Sequence, residues 1–524
     1  MTKKTSTLQL NWITLSALCL LCIAACLRFT SLANLPGINA DEADMGVRIL
    51  QMLHGQPYSL RSNTGQVFNP LFVLSEFILL KYFPQNFFLL RLPAAIFAMS
   101  GIFVLMYLYA KFFLDKVTAL LLGAFVACFP LHMIFSRLGW DPTFLLFWIP
   151  IDLLLVMRLI NRPRAIDGIA LLFSSALTLW THATAAIFLL AMLGALFWVQ
   201  RQSLSQWLQS RLPPRLKPLA GNGTLLFALS IFSGLILAAI CWYVLARAFV
   251  QIAVLTPHFA LRVLNFPGSL AMHLRIPGDI LTSYRGFCYV AGIPDSPSLK
   301  AIGWISEAIL FLGCFKLARS KLPFDRFLAI LLPSYFLLIL LSAGLLQLFI
   351  LEHQRYLVPM MVLLPLVIVR AFPRPIFLLV ISAAMLGEYW TCFEQPALEC
   401  RYLHNTQPTY WTGLQEPKAH AAKLILHLAS LNPETCVVYT DHYWLERPLE
   451  FLLFGHIAVR NHIPVVDELK PGDFIASYTS EDLTDRVSSQ LSAQSRSFKT
   501  YTISNQSGMP QIIVLQITPS KNSE

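Results

Sequence analysis

The feature that most constrains this chain is a set of long apolar runs almost free of charge, among them residues 10–27, 224–245 and 327–350. Roughly 20 such residues cross a hydrocarbon core as a helix, since a helix satisfies its own backbone polar groups where no water can. Composition agrees: 56% of the residues are hydrophobic and 13% are charged, against about 25% charged in an ordinary soluble domain. Most of this chain therefore has lipid as its solvent.

The net charge of +11 raises the question of nucleic acid, but the basic residues punctuate the ends of the apolar runs and do not cluster on one face among aromatics. No nucleic-acid partner is expected; the partner they mark is membrane lipid. With Lys3 and Lys4 placed in the cytoplasm, Lys and Arg are about threefold denser in the inner segments than in the outer loops, which sets the orientation. The basic flanks of 168–199 require two crossings there, with a turn near Trp180-Thr181-His182. The expectation is an all-α polytopic domain of about 11 helices over 1–391, with sizeable outer loops at 28–91 and 246–300.

Within the first of these loops, the apolar segment 70–83 is too short to span and carries Glu76, so it reads as an interfacial helix. After residue 391 helical patterns at 416–430 and 447–456 alternate with strand-like runs at 436–439, 498–503 and 510–517. Residues 392–524 are thus expected to form a small extracytoplasmic α/β domain. No internal repeat is evident.

Some local patterns lead nowhere. Asp41-Glu42-Ala43-Asp44 spells a helicase acidic box, but the chain has no G-x-x-x-x-G-K-[ST] loop to hold phosphates. Cys19, Cys22 and Cys26 lie in the first apolar run, where thiols are ordinary packing residues. Asp152 and Glu307 lie in or at the edge of spans, where an acid either pairs with another helix or reaches the interface.

The chemistry-bearing pattern is in the first outer loop. Asn39-Ala40-Asp41-Glu42-Ala43-Asp44 precedes an amphipathic stretch (Met45, Ile49, Met52, Leu53) and reads equally as a helix cap with acids in its first turn or as a catalytic acid site. Arg91, Arg137, Asp141, Arg355 and Tyr356 fall at outer membrane boundaries too. Together these residues resemble the polyprenyl-phosphate-sugar-dependent glycosyltransferases of the C superfamily, a group that includes protein O-mannosyltransferases and the lipid A aminoarabinose transferase. The resemblance rests on Asp41-Glu42 after the first span, Arg91-Leu92-Pro93-Ala94-Ala95, Phe135-Ser136-Arg137 leading to Asp141, and Arg355-Tyr356-x-x-Pro359.

The chain departs from the family in two places. Phe68-Asn69-Pro70 stands where members often have His-Pro-Pro or Lys-Pro-Pro, and Asp141 stands without the D-x-D pair of the oligosaccharyltransferase branch. A divalent cation is left open, and no metal ligands are assigned.

The resemblance implies a glycosyltransferase, hexosyl or pentosyl, that moves a sugar with inversion from a polyprenyl-phosphate donor to a lipid, glycan or protein acceptor outside a bacterial inner membrane. It places Asp41 as general base, Glu42 as the residue orienting the site, and Arg91, Arg355 and Tyr356 at the donor phosphate. Asp141, Arg137 and Asp44 are expected as secondary polar contacts, and the C-terminal domain would gate or select the acceptor. The alternatives are a transporter or flippase of lipid-linked sugars and a non-catalytic relative.

Overall fold

The computed structural model describes residues 3–60, 68–182, 184–211, 274, 276–283, 297–346, 357–391, 417–431, 436–479, 483–504, 508 and 510–519. Its helices in the membrane part are α1 (Lys3–Phe29), α2 (Ala40–Leu53), α3 (Pro70–Tyr82), α4 (Phe87–Phe113), α5 (Lys116–Cys128), α6 (Pro130–Ser136), α7 (Leu145–Asn161), α8 (Ala165–Thr181), α9 (Ala185–Arg211), α10 (Ile276–Leu281), α11 (Pro297–Ala318), α12 (Pro323–Leu346), α13 (Val358–Ala371) and α14 (Pro375–Tyr389). Among the described residues six helices are long and apolar enough to cross a membrane, or seven if the bent pair α5–α6 is one span. The shorter apolar helices α8, α13 and α14 sit where further crossings were expected. The run 224–245 and most of the loop 246–300 lie outside the described residues. The chain is an integral membrane protein with many apolar helices.

Local sequence explains the breaks. The α5–α6 pair bends by 65° at Phe129, which is extended (φ −68°, ψ 113°) because Pro130 follows. The turn read at Trp180-Thr181-His182 is real: α8 stops at Thr181 and α9 begins at Ala185. Gly101 of α4 lies against the carbonyl of Leu146 in α7, where a Cβ would collide. That carbonyl is the one Pro150 cannot bond within its helix, so a small residue and a proline let the two helices close up.

The acids inside the bundle pair with neighbouring helices. Thr178 Oγ1 of α8 donates to Asp152 Oδ2 at 2.7 Å, and the Gly278 amide donates to Glu307 Oε2 at 2.8 Å.

The C-terminal segment folds around a five-stranded mixed sheet in the order β2-β1-β3-β5-β4, with β1 (Val437–Tyr439), β2 (Ala458–Arg460), β3 (Phe474–Tyr478), β4 (Phe498–Ser504) and β5 (Pro510–Ile517). β1 runs parallel to β2 and β3, and β5 antiparallel to β3 and β4. Helices α15 (Pro417–Ser430) and α16 (Tyr443–Leu453) cover one face and α17 (Leu483–Ala493) the other. The strands expected at 436–439, 498–503 and 510–517 are present, as is the helix at 416–430.

The helix read at 447–456 starts four residues earlier. Its Pro448 leaves the Trp444 carbonyl without a helical donor, and the Tyr478 hydroxyl supplies one at 3.0 Å. β2, β3 and α17 were not expected; β3 has all five residues buried and therefore no alternation to read.

Candidate active site

The acidic loop is held by arginines. Asn39 caps α2: its side-chain oxygen accepts from the Asp41 amide at 2.7 Å, while Glu42 Oε2 accepts from the Asn39 amide at 2.9 Å, a reciprocal capping box. Glu42 is fully buried and does more than cap. Its two oxygens take Arg91 Nε at 2.9 Å and Arg91 Nη2 at 2.8 Å, and Oε1 also accepts the Gly139 amide at 2.5 Å. Residue 139 has to be glycine, because a Cβ there would lie 2.5 Å from the Leu90 carbonyl oxygen.

Arg91 completes the frame. Its Nη1 donates to the carbonyls of Leu32 and Pro36 at 3.0 and 2.6 Å, and its Nη2 also donates to Gly37 at 3.1 Å. With the bonds to Glu42, all five N–H groups are engaged inside the protein. A buried charge pair holds only when its remaining hydrogen-bonding capacity is met, and here it is. Arg91 thus has no N–H left for a donor phosphate, the place expected for it. It fixes the loop instead.

Arg137 does the same for the end of α1. It is buried and donates to the carbonyls of Leu27, Thr30 and Leu35 at 3.0, 2.5 and 2.9 Å and to the Tyr389 hydroxyl at 3.2 Å. A cation among the carbonyls of a helix C-terminus is favourable on dipole grounds too. Between them, the two guanidiniums hold the chain from Leu27 to Glu42.

Of the acids, Asp41 and Asp141 are the half-exposed ones. Asp41 keeps part of its surface next to the buried Glu42, and Asp141 opens the 3-10 turn Asp141–Phe144 that leads into α7. Asp44 is buried and ion-paired with Arg48 at 2.8 Å and with Arg447 of the C-terminal domain at 3.3 Å. Arg355 and Tyr356 lie outside the described residues. Among the described residues no three His, Cys, Asp or Glu side chains converge as metal ligands.

Glu76 was read in the sequence only as the mark of an interfacial helix. In α3 it is fully buried, and neither carboxylate oxygen has a hydrogen-bond partner among the described residues. Burial first, then the nearby charges of Glu42 and Asp141, push its carboxyl well above the ordinary 4.5. One signal could have found it: a lone acid in an otherwise apolar stretch. Asn69, the cap of α3, ties this helix to the bundle by donating to Thr181 Oγ1 at 2.8 Å.

Residues 73–213, which contain Arg91, Arg137 and Asp141, match the family model described as dolichyl-phosphate-mannose-protein mannosyltransferase. The match supports the glycosyltransferase C resemblance. Two solved structures align over nearly the whole chain: ArnT from Cupriavidus metallidurans bound to undecaprenyl phosphate (14% identity, TM-score 0.44, covering 96% of this chain and 98% of that one) and the same protein in the apo state (13%, 0.39, 97% and 98%). No curated protein matches by sequence.

Proposed function

We propose that this chain is a membrane glycosyltransferase that moves a sugar from a polyprenyl-phosphate donor to an acceptor on the outer side of the membrane. The observation that carries the reading is the division of labour between adjacent acids. Glu42 is locked to Arg91, whereas Asp41 keeps part of its surface exposed on a loop whose backbone is clamped by two arginines. Such a loop can hold one carboxylate in place without reorganising, which is what a general base needs.

In this reading the acceptor's nucleophilic atom gives its proton to Asp41 as it attacks the anomeric carbon, and the bond from that carbon to the phosphate oxygen breaks. The sugar is inverted and the polyprenyl phosphate leaves as an anion of low basicity, so no acid is needed on that side. Arg355 and Tyr356 are proposed at the phosphate. Asp141 is proposed as a secondary polar contact of the site, while Arg91 and Arg137 act through the frame. The dense basic residues of the short connections support an orientation with α2 and the C-terminal domain outside a bacterial inner membrane. The family-model match supports transfer over the flippase alternative.

The test is to reconstitute the protein in nanodiscs with lipid-linked sugars extracted from host membranes, and to follow both sugar and lipid. The reading expects free polyprenyl phosphate to appear together with a glycosylated product of opposite anomeric configuration. Lipid-linked sugar that crosses the bilayer intact, with no phosphate released, would establish the flippase instead.

A further inference from the structure

Three residues of α16 lie on one face at i, i+4 and i+8, two of them in contact with α2 and the third within electrostatic reach of it. Phe451 is fully buried, and it packs with the core of α2, α3 and α4 rather than with the sheet of its own domain. Its ring stacks on Phe87 with centroids 5.9 Å apart, and it leaves no space for a Cβ at Gly46, which would meet the ring at 2.7 Å. One turn back, Arg447 contacts Asp44. A further turn back, Tyr443 lies within electrostatic reach of Asp44 and Asp41.

Two more contacts extend the grip. Lys418 of α15 is 1% exposed and donates to the carbonyl of Ile38 at 3.0 Å, immediately before the cap of α2. Gln85, before α4, donates to the carbonyls of Leu452 and Phe454 at 3.2 and 3.4 Å. Apolar contact alone would hold two surfaces together more cheaply than a buried ammonium does. Charged contacts that fix one register are the better-attested use of such groups.

We propose that the C-terminal domain is a working part of the acidic site, with Tyr443, Arg447 and Phe451 as positioning residues that hold the first turns of α2. This rests on Asp41 being the base, and it gives the small domain a task beyond meeting an acceptor: Asp41 is correctly placed only while α16 is docked.

The test uses the full chain in nanodiscs, with Arg447→Gln, Arg447→Lys, Phe451→Ala and Phe451→Leu. Three readouts are taken: backbone hydrogen exchange over residues 38–53, carbodiimide labelling of the Asp41 carboxyl, and the split between turnover and polyprenyl-phosphate affinity. Arg447→Gln and Phe451→Ala should raise exchange in 38–53 but not in α4, and change the labelling rate at Asp41. They should also lower turnover by ~10-fold, with the affinity for polyprenyl phosphate kept. Arg447→Lys and Phe451→Leu should recover most of each effect. Unchanged exchange and unchanged Asp41 labelling in both Arg447→Gln and Phe451→Ala would overturn the proposal, and if Phe451→Ala does not fold, the Arg447 pair decides. Normal turnover in Asp41→Asn would instead remove the base assignment, while the exchange readout would still decide whether docking controls α2.

Discussion

Arg91 and Arg137, at the end of the bundle that carries α2, are enclosed and bonded to a carboxylate, a hydroxyl and a series of backbone carbonyls, whereas the arginines at the opposite helix ends remain in contact with solvent. Arg158 meets Asp167 at 2.7 Å with 42% of its side chain exposed, and Arg370 meets Asp325 at 2.6 Å with 18% exposed. Both arrangements satisfy the guanidinium groups, but they do different work. Enclosed arginines bonded to several carbonyls at once fix a backbone in one conformation, and such rigidity suits a loop that, on the proposed function, presents a carboxylate to a lipid-borne donor. The exposed pairs join helix ends and mark the basic side of the membrane.

The comparison breaks most visibly if the frame is cut. Replacing Arg91 by leucine strands the Glu42 carboxylate, and replacing Glu42 by alanine strands the guanidinium. Each should destabilise the folded protein by ~3–5 kcal/mol, the range for an unpaired buried charge, read as a lower midpoint of thermal unfolding in detergent.

Glu76 sharpens the contrast from the other direction, as a buried acid with no hydrogen-bond partner among the described residues. Its folded-state carboxyl titrates above the unfolded value of 4.5, so between those two values the native state binds the extra proton. Stability must then fall as pH rises through that window. Glu76→Gln should flatten the decline and melt higher than the parent at pH 8, the two converging towards pH 4. A parent with no such decline, or a variant that melts lower at pH 8, would contradict a neutral buried Glu76. The smallest effect belongs to the exposed end, where Arg158→Ala should cost no more than ~1 kcal/mol by the same melting measurement.

The membrane architecture was legible because apolar length and basic punctuation are properties of single segments. The turn after Thr181 and the cap at Asn39 could be read for the same reason: prolines, charges and caps act on their neighbours. Pairing across the chain could not. Nothing local in Arg91-Leu92-Pro93 says that its guanidinium closes on Glu42 and not on a phosphate, since both are anions and both were plausible at that boundary. The separate roles of the loop's acids rest on the resemblance alone, and only the fold shows where each one goes: Glu42 into the frame, Asp44 onto Arg48 and Arg447, Asp41 partly exposed. Arg447 and Phe451 escaped notice because they contact α2 from about 400 residues away, and a helix pattern does not tell which of its faces meets another domain. β3 was missed because a central strand buried on both sides carries no period.

The central claim is that adjacent acids hold separate jobs, Glu42 building the site and Asp41 performing the chemistry. Asp41→Asn and Glu42→Gln, purified side by side, test it directly when unfolding midpoint and sugar-transfer rate are measured on the same samples. Asp41→Asn should melt close to the parent and bind polyprenyl phosphate normally, with transfer reduced by ~10²-fold or more, the range for a lost general base. Glu42→Gln should melt well below the parent. Near-normal transfer by Asp41→Asn, or an equal loss of stability in both variants, would contradict the account.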